Sequence, residues 1–287
     1  MKKINSGYVA IVGKPNVGKS TFINTIMKRK ISITSYKPQT TRKQIKALYN
    51  DEGSSIFFID TPGFHIPRNK FDVEMNKEVK SSYKVADCIL YLIDLTRDFD
   101  NEDEEVIKTI KDFKVENIIV VFTKNDLVKE QKITPFVSEL KNKLSFSDFV
   151  SISSLKNNNI NQLLELIKKY LPKSEVFFEN NDDDDNFVIS ELIREQIIFN
   201  TKKEIPYSTF VEIEEKKFVD NLFTINAVIH VEKESQKPIM IGKGGLMLKK
   251  IGTHARKELL KVYDCKINLK LFVKTTQNWR NNLDSIK

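Results

Sequence analysis

The stretch YVAIVGKPNVGKSTFINTIM, residues 8–27, sets an apolar run, a glycine-bounded loop and a helical pattern end to end. A short apolar run ending in glycine reads as a buried strand, and the apolar spacing after the loop reads as a helix. The loop, Gly13–Ser20, matches G-x-x-x-x-G-K-S in the strand-to-helix setting the pattern needs. Gly13 and Gly18 let the backbone curl so that successive N–H groups face inward and form an anion nest. The helix start beyond adds its positive dipole end. The reading assigns nucleotide phosphates to Gly13, Lys14, Pro15, Asn16, Val17, Gly18, Lys19, Ser20 and Thr21. Lys19 reaches the β- and γ-phosphates, and Ser20 offers its hydroxyl to Mg2+.

Further apolar runs follow at 55–60, 88–94, 117–123 and 149–153, with helical patterns at 71–86, 101–113, 134–144 and 159–171. Short apolar strands alternating with helices predict an α/β domain, a mainly parallel sheet with helices on both faces. That domain is expected to span 1–172. PKSEVFFENNDDDDN (172–186) holds four consecutive aspartates, so 173–187 is expected to be a solvated linker. The order then changes to helix (188–202), strands (208–215 and 222–232), glycine loop, helix (246–263) and strand (266–274). This predicts a smaller α+β domain over 188–280.

Four of the five predicted strand ends in the first half carry a motif. DTPG (Asp60, Thr61, Pro62, Gly63) offers a carboxylate for Mg2+ and a Gly63 N–H for a γ-phosphate. TKND supplies Thr123, Lys124 and Asp126. The Asp126 carboxylate can accept from the guanine N1–H and exocyclic amine, a pair that adenine lacks. In SISSLK, the candidates are Ser153, Ser154 and Leu155, with the Ser154 N–H aimed at guanine O6. The polar segment SYKPQTTRKQ (35–44) lies between the first two motifs. Thr41 is the expected hydroxyl ligand there, with Thr40 in reserve. The expected metal ligands are thus Ser20, Thr41 and Asp60.

The second glycine loop, IGKGGLMLKKIG (241–252), has G-x-x-G at its centre. Ile241, Gly242, Lys243, Gly244, Gly245, Lys249 and Lys250 are read as a loop that holds an anion, and the KH resemblance given below implies that the anion is RNA, with Leu246 and Ile251 flooring the bases. Charge supports this reading. The whole chain carries +8, and residues 188–287 hold 18 Lys+Arg against 12 Asp+Glu. Trp279 is expected to cover the core rather than stack on a base, and NEDEE (101–105) to be an acidic helix start. Cys88 and Cys265 are far apart, and with His65, His230 and His254 they form no metal-ligand spacing. Both cysteines are expected to be reduced in a cytoplasmic protein. No secretory h-region precedes the first strand, and no apolar run nears the ~18 residues of a spanning helix.

Together GKPNVGKS, QTTR, DTPGFH, TKND and SISSLK resemble the translation-factor-related class of P-loop GTPases. With ELIREQIIFNTKKEIPYS, IGKGG and IGTHARKEL the chain is similar to the Era-like family, in which a type II KH domain follows the GTPase domain. The resemblance implies a slow GTP-hydrolysing switch, cycling between GTP and GDP, that binds small-subunit ribosomal RNA near its 3′ end. It implies help in assembling the small ribosomal subunit, action as a monomer, and peripheral association with the cell membrane. By resemblance, Lys19, Thr41, Gly63 and Asn16 serve catalysis, Asn16 by holding a K+ ion beside the phosphates. Phe64 stands where many GTPases carry a water-orienting glutamine, so turnover is expected to be slow. His65 is assigned to the switch loop rather than to catalysis. Two competing readings are an RNA-binding assembly factor with hydrolysis as reset, and a small-molecule ATPase or kinase that Asp126 opposes.

Overall fold

The computed structural model describes residues 4–28, 30, 45–60, 85–113, 115–174 and 184–279. The chain divides into two compact units, one holding the described residues through 174 and the other those from 184 on.

In the first unit, β1 (Ile4–Val12) lies between β3 (Ser54–Asp60) and β4 (Cys88–Asp94), parallel to both. β5 (Asn117–Thr123) and β6 (Asp148–Ser151) extend the parallel sheet beyond β4. The first helices are α1 (Lys19–Met27), α2 (Asn101–Asp112), α3 (Ile133–Lys143) and α4 (Ile160–Tyr170). Burial alternates along β1: Val9 and Ile11 join a cluster with Phe22 of α1 and Leu163 of α4. Ala10 and Val12 join the opposite one with Val106 of α2 and Leu140 of α3. Both faces are therefore dry, which is why these strands are apolar throughout. Each such large buried side chain contributes about 1.5–3 kcal/mol.

Two strands were absent from the sequence reading. β2 (Ile45–Asn50) runs antiparallel along β3 at the sheet edge. β7 (Lys173–Ser174) pairs antiparallel with Ile4 and Asn5. The expected linker therefore starts inside the sheet. β7 fills the side of β1 that β4, paired only with Val9–Val12, leaves open.

The second unit begins with α5 (Asp184–Asn200), which starts inside the aspartate run rather than at 188. Acidic residues suit a helix N-terminus, where the dipole end is positive. Asp185 also accepts a hydrogen bond from the Tyr263 hydroxyl at 3.0 Å. β8 (Thr209–Val219) and β9 (Leu222–Val231) form a hairpin. Its two turn residues, Asp220 and Asn221, both have positive φ, the requirement of a type I′ turn. The chain continues through α6 (Lys237–Ile241), α7 (Leu246–Val262) and β10 (Lys266–Thr275), which lies parallel to β9. α6 was not expected from the sequence. Ile193 and Ile197 of α5 share a core with Ile251, Ala255 and Leu259 of α7 and with Ile225 and Ile229 of β9. Trp279 is fully buried against Phe210 and donates to the Ser208 carbonyl at 3.1 Å, which makes it a core residue.

Candidate functional site

The C-terminal ends of β1, β3, β4 and β5 meet at one sheet edge, because β1 is flanked by β3 on one side and β4 on the other. The chain order reverses at that point, where open α/β sheets bind ligands. Gly13 leaves β1 with φ 153°, and a Cβ there would stand 2.5 Å from the Leu92 carbonyl oxygen. Gly18, at φ 107°, caps α1, and its carbonyl accepts from Phe22 N at 2.9 Å. Between them the loop closes on Lys19, whose Nζ donates to the carbonyls of Gly13 (2.8 Å) and Lys14 (2.9 Å). Burial pushes the Lys19 pKa down to about 8, partly opposed by Asp60. A phosphate arriving there would meet a buried cation.

Ser20 Oγ donates to Asp60 Oδ2 at 3.2 Å. These are two hard oxygens at the mouth of the loop, the donors Mg2+ prefers. Among the described residues no three His, Cys, Asp or Glu side chains gather as a metal site. One hydroxyl and one carboxylate suit an ion that takes its other ligands from phosphate and water. Thr40, Thr41, Thr61, Pro62, Gly63, Phe64 and His65 lie outside the described residues.

The Lys14 side chain is held outside the loop. Its buried ammonium turns to α2, reaching Asp103 Oδ2 at 2.6 Å and Asp100 Oδ2 at 2.9 Å. Burial alone would lower its pKa, but these carboxylates outweigh burial and raise it. Asp100 and Asp103 also form the capping box of α2. NEDEE is thus more than a helix start. With Asp100, it anchors the phosphate loop from outside.

Thr123 and Lys124 brace the same loop. The buried Thr123 hydroxyl donates to the Val17 carbonyl at 2.7 Å, with the Ile93 carbonyl at 3.2 Å. That hydroxyl, expected to touch nucleotide, has its proton committed to the loop. Lys124 Nζ donates to the Asn16 carbonyl at 3.1 Å and pairs with Asp94 Oδ2 at 2.5 Å. Burial works to raise the Asp94 pKa, yet Lys124 and two bonds from Thr96 hold it below the usual carboxylate range. Asp94 and Thr96 were missed. Their signal was position, since Asp94 ends β4 at the edge where the other motifs lie.

The remaining base-reading candidates sit on two joined loops. Asn125 N donates to the Ile152 carbonyl at 3.1 Å. Asp126 and Leu155 are exposed. Thr25 Oγ1 of α1 reaches the Ser154 carbonyl at 3.1 Å. Ser153, by contrast, shapes its loop: it is buried, exchanges both backbone bonds with Asn158, and its Oγ accepts from Lys156 N.

In the second unit the glycine loop joins α6 to α7. A Cβ on Gly242 would stand 2.6 Å from Met247 Cβ, and its φ is 75°. Gly244 and Gly245 also have positive φ, but their missing Cβ atoms face open space. A strand of ligand backbone can approach closely there. Lys243, Lys249, Lys250 and Leu246 are exposed, and Ile241 is half-buried. Ile251 does not floor the loop as expected. It is fully buried, because helical spacing stacks it with Ala255 and Leu259 against the sheet.

A family model described as "50S ribosome-binding GTPase" matches residues 8–124, and one described as "KH domain" matches 204–280. GTPase Era of Ureaplasma parvum is 48% identical, with 98% of this chain and 96% of that protein covered. GTPase Era of Caldicellulosiruptor saccharolyticus is 40% identical over the same shares. Among solved structures, Era in complex with MgGDPNP and nucleotides 1506–1542 of 16S ribosomal RNA has a TM-score of 0.93 at 37% identity. That match covers 99% of this chain and 97% of the other. A variant of Aquifex aeolicus Era bound to GDP and AlF4− has a TM-score of 0.92 at 37% identity, covering 100% and 98%.

Proposed function

Since this chain belongs to the Era family of GTPases, we propose that it is a slow GTP switch whose KH unit binds small-subunit ribosomal RNA near its 3′ end. Assistance in small-subunit assembly follows from that pairing of activities. The observation that carries the reading is the loop Gly13–Ser20 closed around Lys19, in a chain that aligns through both units with Era holding MgGDPNP and 16S RNA. Among the described residues, the GTPase unit holds those through Ser174 and the KH unit those from Asp184 on.

The backbone N–H groups of the loop hold the phosphates, and Lys19 neutralises charge on the β- and γ-oxygens. Ser20 and Asp60 would hold Mg2+, with Thr41 as a further ligand. The ion would supply positive charge to the nucleotide phosphates. Asp126 selects guanine, the Ser154 N–H meets O6, and Lys124 lies along the base while bracing Asn16. Gly63 contributes an N–H to the γ-phosphate. Asn16 is assigned a K+ ion, which would take the place of an arginine finger, on the strength of the family resemblance. Replacing K+ with Na+ should then slow turnover, and unchanged turnover in wild type and Asn16→Ala would remove this assignment.

In the KH unit, Gly242–Gly245 clamp the RNA backbone while Lys243, Lys249 and Lys250 supply charge. We keep the protein as a monomer in the cytoplasm with peripheral membrane attachment. Among the described residues no helix is long and apolar enough to cross a membrane. Vesicle flotation tests the attachment.

The deciding experiment titrates fluorescent single-stranded RNA from the small-subunit rRNA 3′ end at fixed salt, with a GTP analogue, with GDP and with neither. Tighter binding with the GTP analogue, lost in Gly244→Asp, supports the switch. Equal binding in all three states would favour an RNA-binding factor whose hydrolysis is only a reset.

A further inference from the structure

We propose that Lys14 is a positioning residue for GTP hydrolysis, set by Asp100 and Asp103 and acting through Lys19. This rests on the GTPase reading. Lys14 Nζ is held 2.6 Å from Asp103 Oδ2 and 2.9 Å from Asp100 Oδ2, on the outer side of the loop. Its own carbonyl oxygen, on the same residue, receives the Lys19 ammonium at 2.9 Å. One residue therefore links the helix start of α2 to the cation that grips the phosphates.

The anchor is itself rigid. Asp103 is buried, accepts the Asp100 backbone N–H at 3.0 Å and lies 3.4 Å from the Tyr91 hydroxyl. The next two peptides of the loop are held from the same region. Arg97 Nη1 approaches the Pro15 carbonyl at 3.4 Å, and Lys124 holds the Asn16 carbonyl at 3.1 Å. Both cations also pair with Asp94. An anion nest works only while its N–H groups face inward, so its carbonyls must be held in place. Bonds to the carbonyls of Pro15 and Asn16, and to the Lys14 side chain, prevent those peptides from turning. Pre-set geometry of this kind is what phosphoryl transfer uses, and small misplacements cost rate.

The test compares GTP turnover at saturating substrate, KM and melting midpoint in the full chain for wild type, Lys14→Arg, and the double variant Lys14→Met with Asp103→Asn. The double variant leaves no unpaired cation, and an amide oxygen at 103 still accepts the Asp100 N–H. We expect Lys14→Arg to keep turnover within about twofold, and the double variant to melt near wild type but turn over about tenfold more slowly. A folded double variant with wild-type turnover overturns the proposal. So does a loss fully explained by the melted fraction. Should the double variant not fold, Lys14→Gln is set against Lys14→Arg, and equal turnover in the two overturns it. A wild-type chain that hydrolyses no GTP would instead defeat the GTPase reading.

Discussion

Thr123 Oγ1 stands 2.7 Å from the Val17 carbonyl oxygen, so one hydroxyl joins the end of β5 to the phosphate loop. Thr123→Val keeps the shape and removes the donor. The Val17 carbonyl then loses this partner at a buried site, which costs about 1–3 kcal/mol. Urea unfolding should show that loss, and GDP affinity should drop with it. A variant as stable as wild type would mean the carbonyl finds water.

The Lys19 pKa is pushed down by burial to about 8 from 10.5. Below pH 8 the ammonium is charged in folded and unfolded chains alike, and the folded chain carries the full desolvation penalty. Between about pH 8 and 10.5 the unfolded chain binds more protons, so the contribution of Lys19 to stability rises with pH. Nucleotide binding runs the other way, because phosphate favours the ammonium. GDP binding should therefore take up a proton above about pH 8 and weaken as pH rises. Calorimetry in buffers of differing ionisation enthalpy reads that proton, and Lys19→Met should abolish the uptake.

Asp94 holds Lys124 at 2.5 Å and accepts two bonds from Thr96. Its pKa is lowered overall, so the stability it adds is present above the ordinary carboxylate pKa and is lost as pH falls through the lower folded value. Asp94→Asn should free Lys124 and raise the GDP dissociation constant about tenfold, the worth of one charge-assisted bond. A fluorescent GDP titration at neutral pH measures it. Unchanged affinity would remove Asp94 from the site.

Gly242 and Gly244 should separate folding from RNA binding. At Gly242 an added Cβ meets Met247, so Gly242→Ala should lower stability by about 1–3 kcal/mol. At Gly244 the space is open, and Gly244→Asp should fold while its charge repels phosphate. Melting curves beside RNA titrations at two salt concentrations test the pair. Loss of RNA binding in Gly244→Asp through unfolding alone would contradict this division.

Much of the architecture was readable along the chain. β1, β3, β4, β5 and α1 follow from continuous apolar runs and from glycines that need positive φ, both properties of neighbouring residues. β2 was not readable, because its partner is a strand edge rather than a pattern within IKALYN. The start of α5 was misread because an aspartate run looks like linker, whereas the helix begins at Asp184 and Tyr263 donates to Asp185. Ile251 was given to the RNA floor, although its spacing with Ala255 and Leu259 already pointed to the core.

By itself the sequence determined the two glycine loops, the motifs at the strand ends and the order of the units, since these depend on residue type and short spacing. Tertiary structure alone decided which polar groups brace the first loop. Lys14 meets Asp103 across 89 residues, Thr123 meets Val17 across 106, and Lys124 meets Asp94 across 30. Those partners are chosen by strand order in the sheet, where β1, β4 and β5 end side by side. Chain spacing carries no record of that adjacency.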